Sequence, residues 1–202
     1  ARTLMPRRMQ QAAQERVRDH EGGIIWQTQG SGKSLIMVML ARWIRERFPD
    51  GRILIVTDRK ELDRQISEDV FGGTGDKVRR ARSGADLMAA LADPADRVVC
   101  SLVHKFGKRE ETEMEGLISE IQNSKVGAPV GDFYVFIDEA HRTQSGKLAR
   151  AMRKVLPDAM FIGFTGTPLL RSDKGTSLET FGPYIGTPYR FDEAVEDGVV
   201  LD

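Results

Sequence analysis

The stretch Ile24-Ile25-Trp26-Gln27-Thr28-Gln29-Gly30-Ser31-Gly32-Lys33-Ser34-Leu35 limits what this chain can fold into more than any other. It reads as a buried strand, a glycine-bearing turn and the start of a helix. Backbone N–H groups in such a turn, and in the first turn of the helix behind it, lack internal partners and converge on one spot. The helix dipole adds positive potential there, so the spot suits a phosphate. Gly30 and Gly32 let the backbone approach an anion with no β-carbon in the way. Lys33 is placed to reach β- and γ-phosphates, and the Ser34 hydroxyl to ligate Mg²⁺. Gln27 stands where the pattern G-x-x-x-x-G-K-[ST] begins with glycine. A plain Gly/Ser-rich turn before an amphipathic helix therefore stays open on this stretch alone.

Four further apolar runs have strand length: 52–57, 97–103, 133–137 and 160–164. Their continuous apolar character fits a parallel sheet covered on both faces. Helical patterns lie between them, at Arg7 to Val17, from Lys33 to the stop signal Phe48-Pro49-Asp50-Gly51, at Lys60 to about Val70, at Ala85 to Leu91, around Met114 to Ile121, and at Gly146 to Val155. Lys77 to Arg82 reads as a basic loop, and regularity fades after residue 168 until a short helix near Asp192 to Glu196. Strands alternating with helices predict an α/β domain with a mainly parallel sheet. Right-handed crossovers then bring every strand's C-terminal end to one edge. The segments beginning at Gln27, Asp58, His104, Asp138 and Thr165 each follow an apolar strand, so all are expected along that edge, where open α/β sheets bind ligands.

Asp138-Glu139 is the second decisive pair. Two carboxylates at the tip of a buried strand are costly unless a cation compensates them. With a phosphate cradle at the same edge, that cation is Mg²⁺, held by Asp138, while Glu139 polarises an attacking water. A simpler reading has Asp138 as the N-cap of a following helix. His141, two residues on, reads as a relay toward Thr165-Gly166-Thr167, where two hydroxyls flank a glycine and suit a switch that senses loss of phosphate. A plain Thr-Gly-Thr-Pro turn explains that stretch equally well.

Composition narrows the classes. The 202 residues carry 30 basic and 30 acidic side chains, so no global field draws the chain to nucleic acid or membrane, and any DNA contact must be local. The single cysteine, Cys100, rules out an internal disulfide framework and reads as a small buried hydrophobe. No apolar run reaches membrane-spanning length, and no signal-peptide core precedes the first helix. A cytoplasmic location is expected, as is one core spanning 1–202. The chain reads as a piece of something larger.

These motifs carry a resemblance. Thr28 to Ser34, Asp138-Glu139-Ala140-His141 and Thr165-Gly166-Thr167-Pro168 are similar to motifs I, II and III of superfamily 2 helicases. Ile137 to Thr143, Gly163 to Leu169, Phe181-Gly182-Pro183-Tyr184 and Ala194 to Gly198 resemble the restriction (R) subunit of type I restriction-modification enzymes. Val56 to Gln65 resembles that family's motif Ia, and His104-Lys105-Phe106 its next DNA-side motif. Arg7 and Gln10 are similar to the adenine-contacting segment before motif I. The resemblance implies the first of two RecA-like motor domains (an α/β P-loop NTPase fold), with residues 169–202 leading toward the second.

It also implies ATP and Mg²⁺ as cofactors. The nucleotide would be bound by Arg7, Gln10, Thr28, Gln29, Gly30, Ser31, Gly32, Lys33 and Ser34, the metal held by Ser34 and Asp138, and catalysis carried by Lys33, Asp138, Glu139 and His141. Thr165 and Thr167 would couple the sites. Thr57, Arg59, Lys60, Ser101 and Lys105 would touch the DNA backbone without reading sequence. Lys77, Arg79, Arg80 and Arg82 either join them or form a solvated loop. Implied partners are double-stranded DNA, the methylation and specificity subunits of a restriction complex, and a second motor domain and a nuclease domain of the same polypeptide. The implied activity is ATP-driven translocation of DNA before cleavage. Another superfamily 2 repair motor, and a nucleotide- or DNA-binding module without turnover, are the alternatives.

Overall fold

The computed structural model describes residues 5–27, 33–57, 78–102, 116, 119–121, 123, 127–140, 143–167 and 177–186. In chain order they form α1 (Met5–Arg18), β1 (Gly23–Trp26), α2 (Lys33–Arg47), β2 (Gly51–Thr57), β3 (Val78–Ala81), α3 (Gly84–Ala92), β4 (Val98–Leu102), β5 (Asp132–Ile137), α4 (Thr143–Val155) and β6 (Met160–Thr165). The six strands make one sheet in the order β1-β6-β5-β2-β4-β3. Every pairing is parallel, as the uninterrupted apolar runs predict.

Side-chain alternation along the strands divides the interior in two. Ile25, Ile53, Ile55, Phe136, Ile162 and Phe164 face α1 and α2, where Ala13, Val17, Ile36, Leu40 and Ile44 meet them. Ile24, Leu54, Val56, Val135, Ile137 and Phe161 face the opposite way, against α3 and α4, where Leu87, Leu91, Leu148 and Met152 pack. Helices thus cover both faces, giving three layers.

One element departs from the expected pattern. Val78-Arg79-Arg80-Ala81 lies within the expected basic loop, yet it is the edge strand β3, paired to β4. Only Ala81 of the four is buried, so the stretch carries no apolar run for a sequence reading to detect. Charged side chains on an edge strand also oppose unwanted pairing. Arg79 is held by Asp86, with Nη2 2.6 Å from Oδ1.

Arg52 anchors the end of the sheet remote from the strands' C-terminal tips. It is 2% exposed, and its guanidinium donates to the carbonyls of Ala90, Leu91, Asp93, Asp96 and Val130 while lying over the Phe133 ring. The last carbonyls of a helix have no partner within it, and here one fork serves the end of α3 and the two loops beside it.

Residues 177–181 form a helical turn within the stretch expected to be irregular. Phe181 packs among the α3/α4-side residues, and Ile185 among those on the α1/α2 side. Between them the chain passes the edge of β1. The Ile24 N–H donates to the Pro183 carbonyl (2.9 Å), and the Ile185 N–H donates to the Ile24 carbonyl (2.8 Å). The Phe-Gly-Pro-Tyr stretch therefore wraps the margin of the sheet along β1. Gly182, at φ +100°, makes the bend.

Candidate nucleotide and metal site

The parallel order brings the tips of β1, β6, β5 and β2 side by side. Lys33 opens α2 after the phosphate turn, and Asp138 and Glu139 follow β5 directly. Lys33 Nζ lies 2.8 Å from Asp138 Oδ1 and 3.0 Å from Glu139 Oε1. The Lys33 side chain is 5% exposed and that of Asp138 0%, so this ion pair is withdrawn from water. Removing one member of such a pair typically costs about 3–5 kcal/mol, because a charge is left buried alone.

Asp138 is held from three directions. Its Oδ1 takes Lys33 and the Glu139 N–H (3.0 Å), and its Oδ2 takes the Thr57 hydroxyl (3.1 Å). Thr57 ends β2, the neighbour of β5, so the hydroxyl reaches the carboxylate across one strand spacing. Glu139 occupies the left-handed region, with φ +53°. The turn it heads is tied back to the sheet by Asp138 N–H to Val56 O and Ala140 N–H to Phe164 O, both 2.9 Å. Gly163 makes room for that turn, since a β-carbon there would stand 2.7 Å from the Ala140 β-carbon.

Gln27 extends β1 by one residue, its N–H donating to Thr165 O at 3.1 Å. Its side chain is buried, and Oε1 has no hydrogen-bond partner among the described residues. Thr165 is buried, with its hydroxyl donating to Thr167 O (2.9 Å) and accepting the Thr167 N–H (3.2 Å). The Thr-Gly-Thr stretch is thus a closed hydroxyl-bonded turn at the tip of β6, next to the tip of β1.

The residues expected from the sequence divide into three sets. Lys33, Asp138 and Glu139 are in direct contact, Ser34 follows Lys33 on α2, and Thr165 and Thr167 stand at the same edge. Arg7 and Gln10 lie on α1, Gln10 half-buried, with nothing described of the Arg7 side chain. Thr28, Gln29, Gly30, Ser31, Gly32, Arg59, Lys60, Lys105 and His141 lie outside the described residues. Thr57 and Ser101, expected at the DNA backbone, are 2% and 3% exposed, and the Thr57 hydroxyl donates to Asp138. That contact eluded the sequence because it depends on β2 being the neighbour of β5, an order the linear pattern does not encode.

The donor set fits magnesium. It offers a carboxylate and a hydroxyl, both hard oxygen ligands, and Mg²⁺ is usually held by one or two such groups plus phosphate oxygens and water. Among the described residues no cluster of three or more His, Cys, Asp or Glu side chains could hold a metal by itself.

The profile of the SWI2/SNF2 ATPase family matches residues 5–202. The chain belongs to that family. Membership makes this SWI2/SNF2 domain a nucleotide-binding one. It is 33% identical over 91% of its length to a protein named as a putative type I restriction enzyme MjaIXP endonuclease subunit from Methanocaldococcus jannaschii, and covers 17% of it. It is 34% identical over 91% of its length to the type I restriction enzyme HindI endonuclease subunit of Haemophilus influenzae, and covers 18% of that. The resemblance to restriction subunits read from motifs II and III is borne out by these relatives, of which the chain spans less than a fifth.

Among solved structures, the Hef helicase domain of Pyrococcus furiosus superposes with a TM-score of 0.56 at 18% identity, over 94% of this chain and 37% of that one. The UvsW helicase of bacteriophage T4 gives 0.54 at 19%, over 87% and 58%. The SWI2/SNF2 domain therefore has the RecA-like fold of helicase motor domains. No helix among its described residues is long and apolar enough to cross a membrane.

Proposed function

We propose that this SWI2/SNF2 domain is the ATP-binding half of a double-stranded DNA translocase, the R subunit of a type I restriction enzyme. The contact of Lys33 with both Asp138 and Glu139 at one sheet edge carries the reading. In it, Lys33 and the phosphate turn bind the β- and γ-phosphates, and Ser34 and Asp138 hold Mg²⁺. The metal, when bound, supplies positive charge against the phosphate oxygens. Glu139 orients a water against the γ-phosphorus and draws on its proton as the bond to ADP breaks. Thr57 keeps the Asp138 carboxylate aimed. Arg7 and Gln10 are assigned to the base, and His141, Thr165 and Thr167 to coupling.

Duplex contact is assigned to Arg59, Lys60 and Lys105, in the segments after β2 and β4, where phosphate contacts carry no sequence information. The hydroxyls of Thr57 and Ser101, at the ends of β2 and β4, are assigned to the same backbone contact. Residues 1–202 then act as one motor domain of a cytoplasmic complex. A second motor domain and a nuclease domain of the same polypeptide, together with methylation and specificity subunits, complete it. The restriction-subunit relatives support these partners. A one-domain ATP pocket lacks the transition-state arginines that a partner domain brings, so turnover belongs to the full-length protein.

The test is ATP hydrolysis by the full-length protein with and without duplex DNA. We expect strong stimulation by duplex, loss of nucleotide binding in Lys33→Ala, and retained binding without turnover in Glu139→Gln. Full-length protein whose ATP turnover ignores DNA would remove the motor reading.

A further inference from the structure

The backbone of the acidic turn is restrained as closely as its side chains. Glu139 has φ +53°, where a β-carbon crowds the backbone. A non-glycine residue stays there only when its surroundings over-determine it. The N–H groups of residues 138 and 140 are tied to the sheet, as described above, and the carbonyls are tied from behind. Ser145 Oγ donates to Glu139 O at 3.0 Å, and Ser177 Oγ donates to Ala140 O at 3.4 Å. Both serines are buried, at 7% and 5% exposure.

A serine inside a helix ordinarily bonds its own helix four residues back, or water. Ser145 stands in the first turn of α4 and reaches instead to a carbonyl six residues earlier, outside the helix. That bond fixes the plane of the peptide following Glu139. If it lapses, that peptide keeps only the Ala140 N–H to Phe164 O bond, and Glu139 is held less firmly at its positive φ. The carboxylate is then less closely kept where Oε1 meets Lys33 Nζ.

We infer that Ser145 is a positioning residue for the hydrolytic step, holding Glu139 on its water through the backbone. Ser177 is the weaker second hold, its contact being long for a hydroxyl donor. The inference rests on reading Glu139 as the residue that orients the attacking water.

The experiment measures kcat and KM for ATP in the full-length protein with duplex DNA, fluorescent-ADP affinity and thermal unfolding, for Ser145→Ala, Ser145→Cys, Ser145→Thr and Ser177→Ala. Removing the partner that orients a metal ligand typically costs roughly 10–100-fold, and a hold on the water-orienting residue is set on the same scale. We expect a loss of that size in kcat for Ser145→Ala and Ser145→Cys, with KM and ADP affinity nearly unchanged. Ser145→Thr, which keeps the hydroxyl, should recover most of the rate, and Ser177→Ala should lose less. The cysteine variant matches serine in shape, so it separates a lost hydrogen bond from a lost fold. Wild-type kcat in Ser145→Cys, or equal loss of kcat and ADP affinity, overturns the inference. Wild-type protein without ATP turnover, or a fully active Glu139→Gln, sinks the parent reading instead.

Discussion

The hydroxyl of Thr57 donates to Asp138 Oδ2 at 3.1 Å, joining the tip of β2 to the tip of β5. Thr57 is 2% exposed, so no water replaces that donor if it is lost. Thr57→Val keeps the volume and leaves a buried carboxylate oxygen one hydrogen bond short, at a cost of about 1–3 kcal/mol. We expect a raised Mg²⁺ requirement for ATP hydrolysis, with Thr57→Ser close to wild type. A Mg²⁺ titration of ATPase activity that superimposes for Val and Thr would refute the role.

Lys33 tests the ion pair apart from catalysis. Lys33→Met keeps most of the stem and removes the ammonium that meets both carboxylates. We expect destabilisation of about 3–5 kcal/mol in nucleotide-free protein, the range for breaking a buried pair. Urea unfolding without nucleotide reads this directly.

Gly163 is fixed by what stands over it. An added β-carbon would meet the Ala140 β-carbon at 2.7 Å and Phe181 Cγ at 3.1 Å. Gly163→Ala must push the acidic turn or the 177–181 turn outward, and overpacking of this kind costs about 1–3 kcal/mol. Because the displaced group adjoins Glu139, ATP turnover should fall by more than stability accounts for at a temperature where the variant is folded.

Arg52 predicts a stability effect far from the site. Lysine offers three donors on a point charge in place of a planar fork serving five carbonyls. Arg52→Lys should destabilise by about 1–3 kcal/mol, since the carbonyls of Ala90 and Leu91 keep the N–H groups of Asp93 and Val130 while the part-buried ones of Asp93, Asp96 and Val130 lose donors. Burial lowers the Arg52 pKa, although Asp96 and Asp93 oppose the shift. ADP affinity of the folded variant should be unchanged.

The Arg79–Asp86 contact sets a small acid dependence. Asp86 titrates below the ordinary carboxylate value, chiefly because the Arg82 N–H donates to it, with Arg79 adding to the effect. A depressed folded-state value means stability that is present above the unfolded pKa and lost as pH falls through the folded one. The site is largely solvated, so the effect is small. Asp86→Asn should be slightly less stable than wild type at neutral pH, the two converging in acid once the pH is below the depressed folded-state value of Asp86. Urea unfolding at neutral and acid pH checks it.

The strands that position the site were legible because they are apolar runs bounded by breakers: 53–56, 133–137 and 160–164 have no reading but buried strand. Lys33, Asp138 and Glu139 were legible because each follows such a run, and a parallel sheet brings all the tips to one edge. β3 was hidden because an edge strand need bury only one side chain in four. Ser145 gave no signal, since the sequence pattern starts that helix at Gly146, whereas in the structure it starts at Thr143 and takes Ser145 into its first turn. Arg52 looked like an ordinary polar flank of a strand. Its work depends on carbonyls from 90 to 130, brought together only by the fold.

The passage of residues 183–185 alongside β1 has a consequence for how this protein meets others. Ile24 spends its amide and carbonyl on its own chain, while the far border of the sheet presents two arginines. A foreign polypeptide trying to extend the sheet finds occupied hydrogen bonds on one flank and positive charge on the other. Among the described residues, both borders of the six-stranded sheet are thus guarded against addition of a further strand.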